Sequence, residues 1–375
     1  MQLFKLKTVV HQFDKFAEFA HEFGLNEMDL VLTNNYLYEP FMKPLNLKCH
    51  FIMKGKYGPG EPSDEMMNAI LRDVKPLKYN RVIAIGGGTI MDISKLFVLK
   101  GLENVTDTFE RKIPLVKEKQ LIIVPATCGT GSEVTNISIA EIKSKKTKMG
   151  LADDALIPDD AVLVPELLRG LPFRPYVASA IDALIHAMES YVSPRANPYT
   201  QTFSRAAIEI IVDIFMKIAQ HGPDYRLERL GEMLMASNYA GIAFGNAGTG
   251  AVHALSYPLG GKYHVPHGEA NYQFLTEVFK IYQQKNPTGK IQGLNNIFTK
   301  NFQWSSEGIY DKLDELLSNL LEKKPLKDYG MTEADITGFA GSVIQTQQRL
   351  LANNYVELTQ KEIENIYRKR YSPLR

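Results

Sequence analysis

Cysteine is nearly absent. Cys49 and Cys128 are the only two in 375 residues, which excludes a disulfide framework and a cysteine-built metal site. A dominant charge sign is missing as well. The formal net charge is +1, so there is no electrostatic reason to expect nucleic acid or an acidic membrane as partner. No run reaches the ~18–20 consecutive apolar residues of a membrane helix. The opening Met-Gln-Leu-Phe-Lys-Leu-Lys is charged early and has no signal-peptide pattern. A cytoplasmic protein is the expectation. Internal repeats and low-complexity tracts are lacking too. What remains is an ordinary globular composition in a chain too long for one comfortable core, so two domains are expected.

The two halves follow different rules. Before residue 175, short apolar runs alternate with amphipathic stretches, the pattern of a parallel sheet with crossover helices. Strands are expected at Asp29–Thr33, His50–Met53, Arg81–Ile85, Leu121–Val124 and Ala161–Val164, with a hairpin from Ile137–Ile142 and Met149–Leu151. The basic run Lys143, Lys145, Lys146 and Lys148 reads as that hairpin's solvated turn. From about Val177 the period is helical: Ala178–Val192, Thr200–Gln220, Leu227–Ala243, Glu269–Gln283, Ile309–Leu321, Glu333–Leu351 and Lys361–Tyr371. Residues 1–175 are therefore expected to form an α/β domain, and 176–375 an all-helical one.

The second half holds residues that suit a metal ion. Asp182 and His186 lie one helical turn apart on one face. His253 follows a glycine-rich approach, Gly241 to Gly250, and His267 stands between Pro266 and Gly268. Three imidazoles and one carboxylate suit Fe(II), Zn(II) or Mn(II) better than Mg(II) or Ca(II). Each residue alone equally fits a buried, hydrogen-bonded role. Spacing leaves His264 competing with His267.

The first half holds two loops suited to a phosphate ligand. Gly86-Gly87-Gly88-Thr89 follows an expected strand and opens a helix, where backbone amides can approach a pyrophosphate. Pro125-Ala-Thr-Cys-Gly-Thr-Gly-Ser-Glu133 is a second strand-ending loop rich in glycine and hydroxyls. The Gly-x-Gly-x-x-Gly fingerprint is absent, but two such loops in one α/β domain favour a shared ligand.

Four stretches carry a resemblance. Asp182-Ala-Leu-Ile-His-Ala-Met-Glu-Ser-Tyr-Val-Ser193, the segment from Gly250 to Gly268 containing His-Val-Pro-His-Gly, and both glycine-rich loops resemble the iron-containing (group III) alcohol dehydrogenases. The likeness extends to the tail Asp328-Tyr-Gly-Met-Thr-Glu-Ala-Asp-Ile336. It implies a Rossmann-like dinucleotide-binding α/β domain followed by an all-α metal-binding domain, the dehydroquinate synthase-like fold. Asp182, His186, His253 and His267 match the four metal-ligand positions; His264 does not. Gly86, Gly87, Gly88 and Thr89 match the pyrophosphate loop, Asp92 a position near the nicotinamide, Thr127 and Thr130 cofactor contacts, and Lys148 a lysine beside the nucleotide. Cys128 falls on a variable position and reads as a small filler.

Two positions depart from the family pattern. Asn34 stands where most members carry an acidic residue facing the adenosine ribose, so NAD is favoured and NADP is not excluded. Tyr257 replaces a histidine to which a proton-relay role is assigned. The resemblance implies hydride transfer between an alcohol and NAD at a divalent ion, most readily Fe(II). It is strongest toward members acting on four-carbon hydroxy acids, implying 4-hydroxybutyrate and succinate semialdehyde. Other alcohols or polyols (1,3-propanediol, butanol, glycerol) and a non-catalytic relative are the alternatives. A carboxylate substrate needs donors near the metal, and Tyr257, Lys262 and His264 are the candidates. A homo-oligomer, a dimer first, is also expected.

Overall fold

The computed structural model describes residues 2–145 and 147–372; Lys146, one of the four lysines of the basic run, lies outside them. The chain forms two compact units. One spans Leu6–Leu171, and the other joins the segment ending at Lys5 to the chain from Pro172 onward.

In the first unit the strands are β1 (Val9–Gln12), β2 (Asp29–Thr33), β3 (His50–Met53), β4 (Arg81–Gly86), β5 (Gln120–Pro125), β6 (Ile137–Ile142), β7 (Thr147–Ala152) and β8 (Asp160–Leu163). Six of them make a sheet in the order β1-β8-β5-β4-β2-β3, every pair parallel. Every residue of β2 is buried, as are all of β4 after Arg81. That is why these strands read as continuous apolar runs: both faces of a parallel sheet are covered. Helix α1 (Asp64–Val74) is capped by the Ser63 hydroxyl, which accepts from the Met66 N–H at 3.2 Å, and buries Met66, Met67, Ile70, Leu71 and Val74. Such an apolar stripe on a capped helix is what periodicity detects.

Register decides what this unit can present. Gly86 at the end of β4 lies opposite Pro125 at the end of β5, and Leu32 of β2 lies opposite Ala84. The carboxyl ends of three adjacent strands therefore carry Asn34, the triple glycine and the 125–133 loop. In this class of sheet, ligands bind outside that edge. The separate hairpin β6–β7 is antiparallel. Three of its lysines are matched by acids: Lys143 by Glu141, Lys145 by Glu110, Lys148 by Glu61.

The second unit is helical: α2 (Phe173–Val192), α3 (Pro198–His221), α4 (Leu230–Ala247), α5 (Ala251–Tyr263), α6 (His267–Tyr272), α7 (Leu275–Lys285), α8 (Lys290–Phe302), α9 (Ile309–Leu320), α10 (Asp335–Thr346), α11 (Gln348–Leu351) and α12 (Gln360–Tyr371). Several expectations need correction. The glycine-rich approach to His253 is mostly helix, since α4 continues to Ala247 and α5 begins at Ala251. The helix expected over Glu269–Gln283 is two, parted at Gln273-Phe274, and that expected over Glu333–Leu351 is also two. Helix α8 was not expected, although Ile291, Leu294, Ile297 and Phe298 stand at helical spacing and are buried. Among the described residues, no helix is long and apolar enough to cross a membrane.

Candidate metal centre and cofactor edge

Helix α2 carries Asp182 and His186, α5 carries His253, and α6 begins at His267. One potential ligand atom from each of the four lies within 4.8 Å of all the others. His186 Nε2 and His253 Nε2 are 3.0 Å apart. Asp182 Oδ1 stands 3.8 Å from His253 Nε2 and 3.9 Å from His267 Nε2. Asp182, His186 and His253 are buried, and His267 forms the rim.

Close backbone approach makes this convergence possible. A Cβ placed on Gly268 would lie 2.4 Å from the Ala178 carbonyl oxygen, so only glycine lets the start of α6 rest on α2. That contact brings His267 to within reach of Asp182. On the opposite side, Phe244 stacks on the His186 ring with centroids 4.2 Å apart, and His186 stacks on His253 at 4.7 Å.

Two neighbours orient the donors. Glu189, buried on α2, has Oε2 at 2.6 Å from His253 Nδ1, while its Oε1 accepts the Val252 N–H at 2.7 Å. A carboxylate takes a proton at Nδ1, so the network assigns the tautomer that leaves a lone pair on Nε2. Asn271 donates through Nδ2 to Asp182 Oδ1 at 2.7 Å. Burial alone would raise the Asp182 carboxyl, but His186, His267, His253 and Asn271 together hold it below the ordinary value. For His253, burial opposes the charged form, and the Glu189 and Asp182 carboxylates outweigh it. An ionised carboxylate and three imidazole nitrogens aimed at one point could hold Fe(II), Zn(II) or Mn(II). Sequence reasoning missed Glu189 and Asn271. Their signal was spacing: Glu189 lies three residues after His186, and Asn271 four after His267.

The residues expected to meet the substrate are scattered. Tyr257 is half-buried with its ring 6.4 Å from that of His267. His264 is exposed, in the left-handed conformation at the end of α5, outside the four-residue cluster. Lys262 is exposed and ion-paired with Asp335, which also accepts from the Tyr263 hydroxyl at 2.6 Å. Its charge is already matched.

At the carboxyl edge of the sheet the two glycine-rich loops touch. A Cβ on Gly87 would lie 3.2 Å from the Thr127 methyl, and one on Gly88 2.9 Å from the Thr130 methyl. Thr89 follows them in the helix Gly88–Ser94, and Cys128 is fully buried, as a filler would be. Asp92 is turned to its own scaffold. Its carboxylate accepts from the Ser132 hydroxyl at 2.8 Å and the Ile139 N–H at 3.0 Å. Lys95, fully buried, donates to Ser132 Oγ and the Ile137 carbonyl, each at 2.7 Å. Burial pushes this ammonium down to about 8 despite Asp92 and Glu133, and burial raises Asp92 against the pull of Lys95. Lys148 is half-buried against Glu61, and Asn34 is half-buried just past β2.

Comparison with known proteins covers almost the whole chain. The family described as iron-containing alcohol dehydrogenase matches residues 8–165, and the Fe-containing alcohol dehydrogenase family, C-terminal, matches 176–371. A 4-hydroxybutyrate dehydrogenase of Clostridium kluyveri is 53% identical over 371 residues, 99% of this chain and 100% of that one. A long-chain-alcohol dehydrogenase of Geobacillus thermodenitrificans is 34% identical over 300 residues, 77% of this chain and 74% of that one. Among solved structures, a sulfoacetaldehyde reductase from Bifidobacterium kashiwanohense in complex with NAD+ has a TM-score of 0.85 at 23% identity, covering 99% of this chain and 98% of that one. An iron-containing alcohol dehydrogenase from Thermococcus thioreducens has a TM-score of 0.83 at 24% identity, covering 98% and 99%.

Proposed function

The chain belongs to the iron-containing alcohol dehydrogenase family, and we propose that it interconverts 4-hydroxybutyrate and succinate semialdehyde with NAD. The observation that carries this reading is the match of 53% identity along the full length of the Clostridium kluyveri enzyme. The converging donors at Asp182, His186, His253 and His267 support the metal-dependent chemistry. In the forward direction the alcohol carbon loses a hydride to NAD+ and its hydroxyl loses a proton, giving aldehyde, NADH and H+.

A divalent ion, iron(II) by family, held by Asp182, His186, His253 and His267 would supply positive charge that favours loss of the alcohol proton, and a bound nicotinamide would supply the hydride chemistry. This chain's residues do the rest. Asp182 and the three imidazoles hold the ion; Glu189 keeps the His253 lone pair aimed inward, and Asn271 steadies Asp182. At the sheet edge, Gly86, Gly87 and Gly88 leave room for a pyrophosphate, and Thr127 and Thr130 wall it in. Asp92 and Lys95 hold the second loop in place. Tyr257 and His264 remain donors for the substrate's far end, and Lys148 a neighbour of the nucleotide. A cytoplasmic homo-oligomer, a dimer first, completes the reading; light scattering tests the assembly.

The test is a substrate panel on iron-loaded protein, following NADH with 4-hydroxybutyrate, 1-butanol, 1,3-propanediol and glycerol. The reading expects the hydroxy acid to lead. In parallel, Asp182→Ala and His267→Ala should lose tight metal binding while NAD binding, followed by calorimetry, persists. Full metal content in either variant overturns that ligand's assignment.

A further inference from the structure

The rim ligand has a second claimant. His267 opens α6, and Asn271 follows four residues later, one turn away on the same face. Asn271 Nδ2 stands 2.7 Å from Asp182 Oδ1 and 3.2 Å from His267 Nε2. Asp182 Oδ1 is also the oxygen that faces His253 Nε2 and His267 Nε2, at 3.8 and 3.9 Å. One NH2 group therefore touches two of the four converging donor atoms.

Charge fixes which way this amide points. An ionised carboxylate only accepts, so Asn271 turns its NH2 and not its oxygen toward Asp182. The opposite end of the amide gains nothing from that choice. Asn271 is fully buried, and its Oδ1 has no hydrogen-bond partner among the described residues. A buried acceptor left unpaired costs stability, so the orientation is set from the ligand side and not by the surrounding core.

A metal ion affects the two bonds differently. A carboxylate oxygen has a second lone pair, so Asp182 Oδ1 can accept from Asn271 and still face an ion. To accept from Asn271, the His267 ring carries its proton on Nδ1, and Nε2 keeps a single lone pair. That lone pair serves the amide or an ion, never both. Glu189 differs in this respect, because it holds the remote Nδ1 of His253 at 2.6 Å and keeps its bond in either case. His267 is also the least buried of the four, the one with room to turn.

We infer that Asn271 competes with the metal ion for His267, so that the rim bond is made and broken by exchange of one partner for the other while Asp182 stays held. The inference rests on the ligand assignment above. Asn271 is then a positioning residue. It lowers the fraction of time that His267 is open to an ion, and it receives the ring when the ion leaves.

The experiment follows cobalt(II) entering the metal-free full chain by stopped-flow absorbance, in the wild type and in Asn271→Leu, which has similar volume and no donor. Entry should be about twofold to tenfold faster in the variant, the scale of one neutral hydrogen bond. Support of Asp182 alone would leave entry unchanged or slower and would speed release to a chelator; that result overturns the exchange. A second measurement needs no variant. In nitrogen NMR of the metal-free wild type with labelled histidine, the neutral His267 ring should carry its proton on Nδ1, and a proton on Nε2 overturns the contact itself. Full metal content in His267→Ala removes the ligand assignment, and this inference with it. Metal loss in His267→Ala together with unchanged entry in Asn271→Leu removes the inference alone.

Discussion

Glu189 Oε2 and His253 Nδ1 meet at 2.6 Å with both side chains buried, and the other oxygen of the same carboxylate holds the Val252 N–H. One acidic residue therefore fixes both the ring and the backbone of its helix. Replacing it with glutamine keeps the shape but removes the charge and allows the amide NH2 to face the ring. Glu189→Gln should weaken metal binding on the order of tenfold to hundredfold, as orienting partners of ligand histidines commonly do. Competition with a chelator measures the effect. Unchanged affinity would show that packing against His186 orients the ring by itself.

Lys95 gives a prediction about pH. Its ammonium is buried and pushed down from 10.5 to about 8. Between these values the unfolded chain binds a proton that the folded chain has released, so stability rises with pH across that window. The contribution is fully present above 10.5 and is lost as pH falls through about 8. Its slope reaches at most about 1.4 kcal/mol per pH unit. In Lys95→Met this component should vanish, which denaturant midpoints taken from pH 7.5 to 10 would read as a flatter difference curve. An identical pH dependence in the two proteins would contradict the buried ammonium.

Asn34 follows β2 at the same edge as the triple glycine. Asn34→Asp should sharpen the preference for NAD over NADP on the order of tenfold, because a carboxylate accepts from a ribose hydroxyl and repels a 2′-phosphate. Initial rates with both cofactors decide it. An unchanged ratio would place the adenosine ribose elsewhere.

The parallel sheet was legible because burial on both faces leaves the middles of β2, β4, β5 and β8 apolar, with polar residues only at the strand ends. β1 was not: Val9-Val10-His11-Gln12 is a short edge strand with Val9 and Val10 exposed, and its pairing with β8 is invisible to local pattern. Helix α5 was hidden by its own composition, since Pro258, Gly260 and Gly261 are poor helix formers. Tertiary contacts support it instead, among them the Tyr367 hydroxyl on the Leu255 carbonyl at 2.5 Å. At the centre, the four converging residues were reached through motif likeness, and spacing alone left His264 open.

The four donors are unequally sheltered. His267 has 36% of its side chain exposed, against 3% for Asp182 and 4% for His253. An ion entering the cluster would close its last bond at His267, and a chelator would open that bond first. Residence time then depends on how freely one imidazole swings, and the resting of Gly268 on the Ala178 carbonyl restrains the backbone from which it swings. If the four donors hold the ion, the single hydrogen atom that Gly268 carries in place of a side chain would act as a kinetic latch on metal retention.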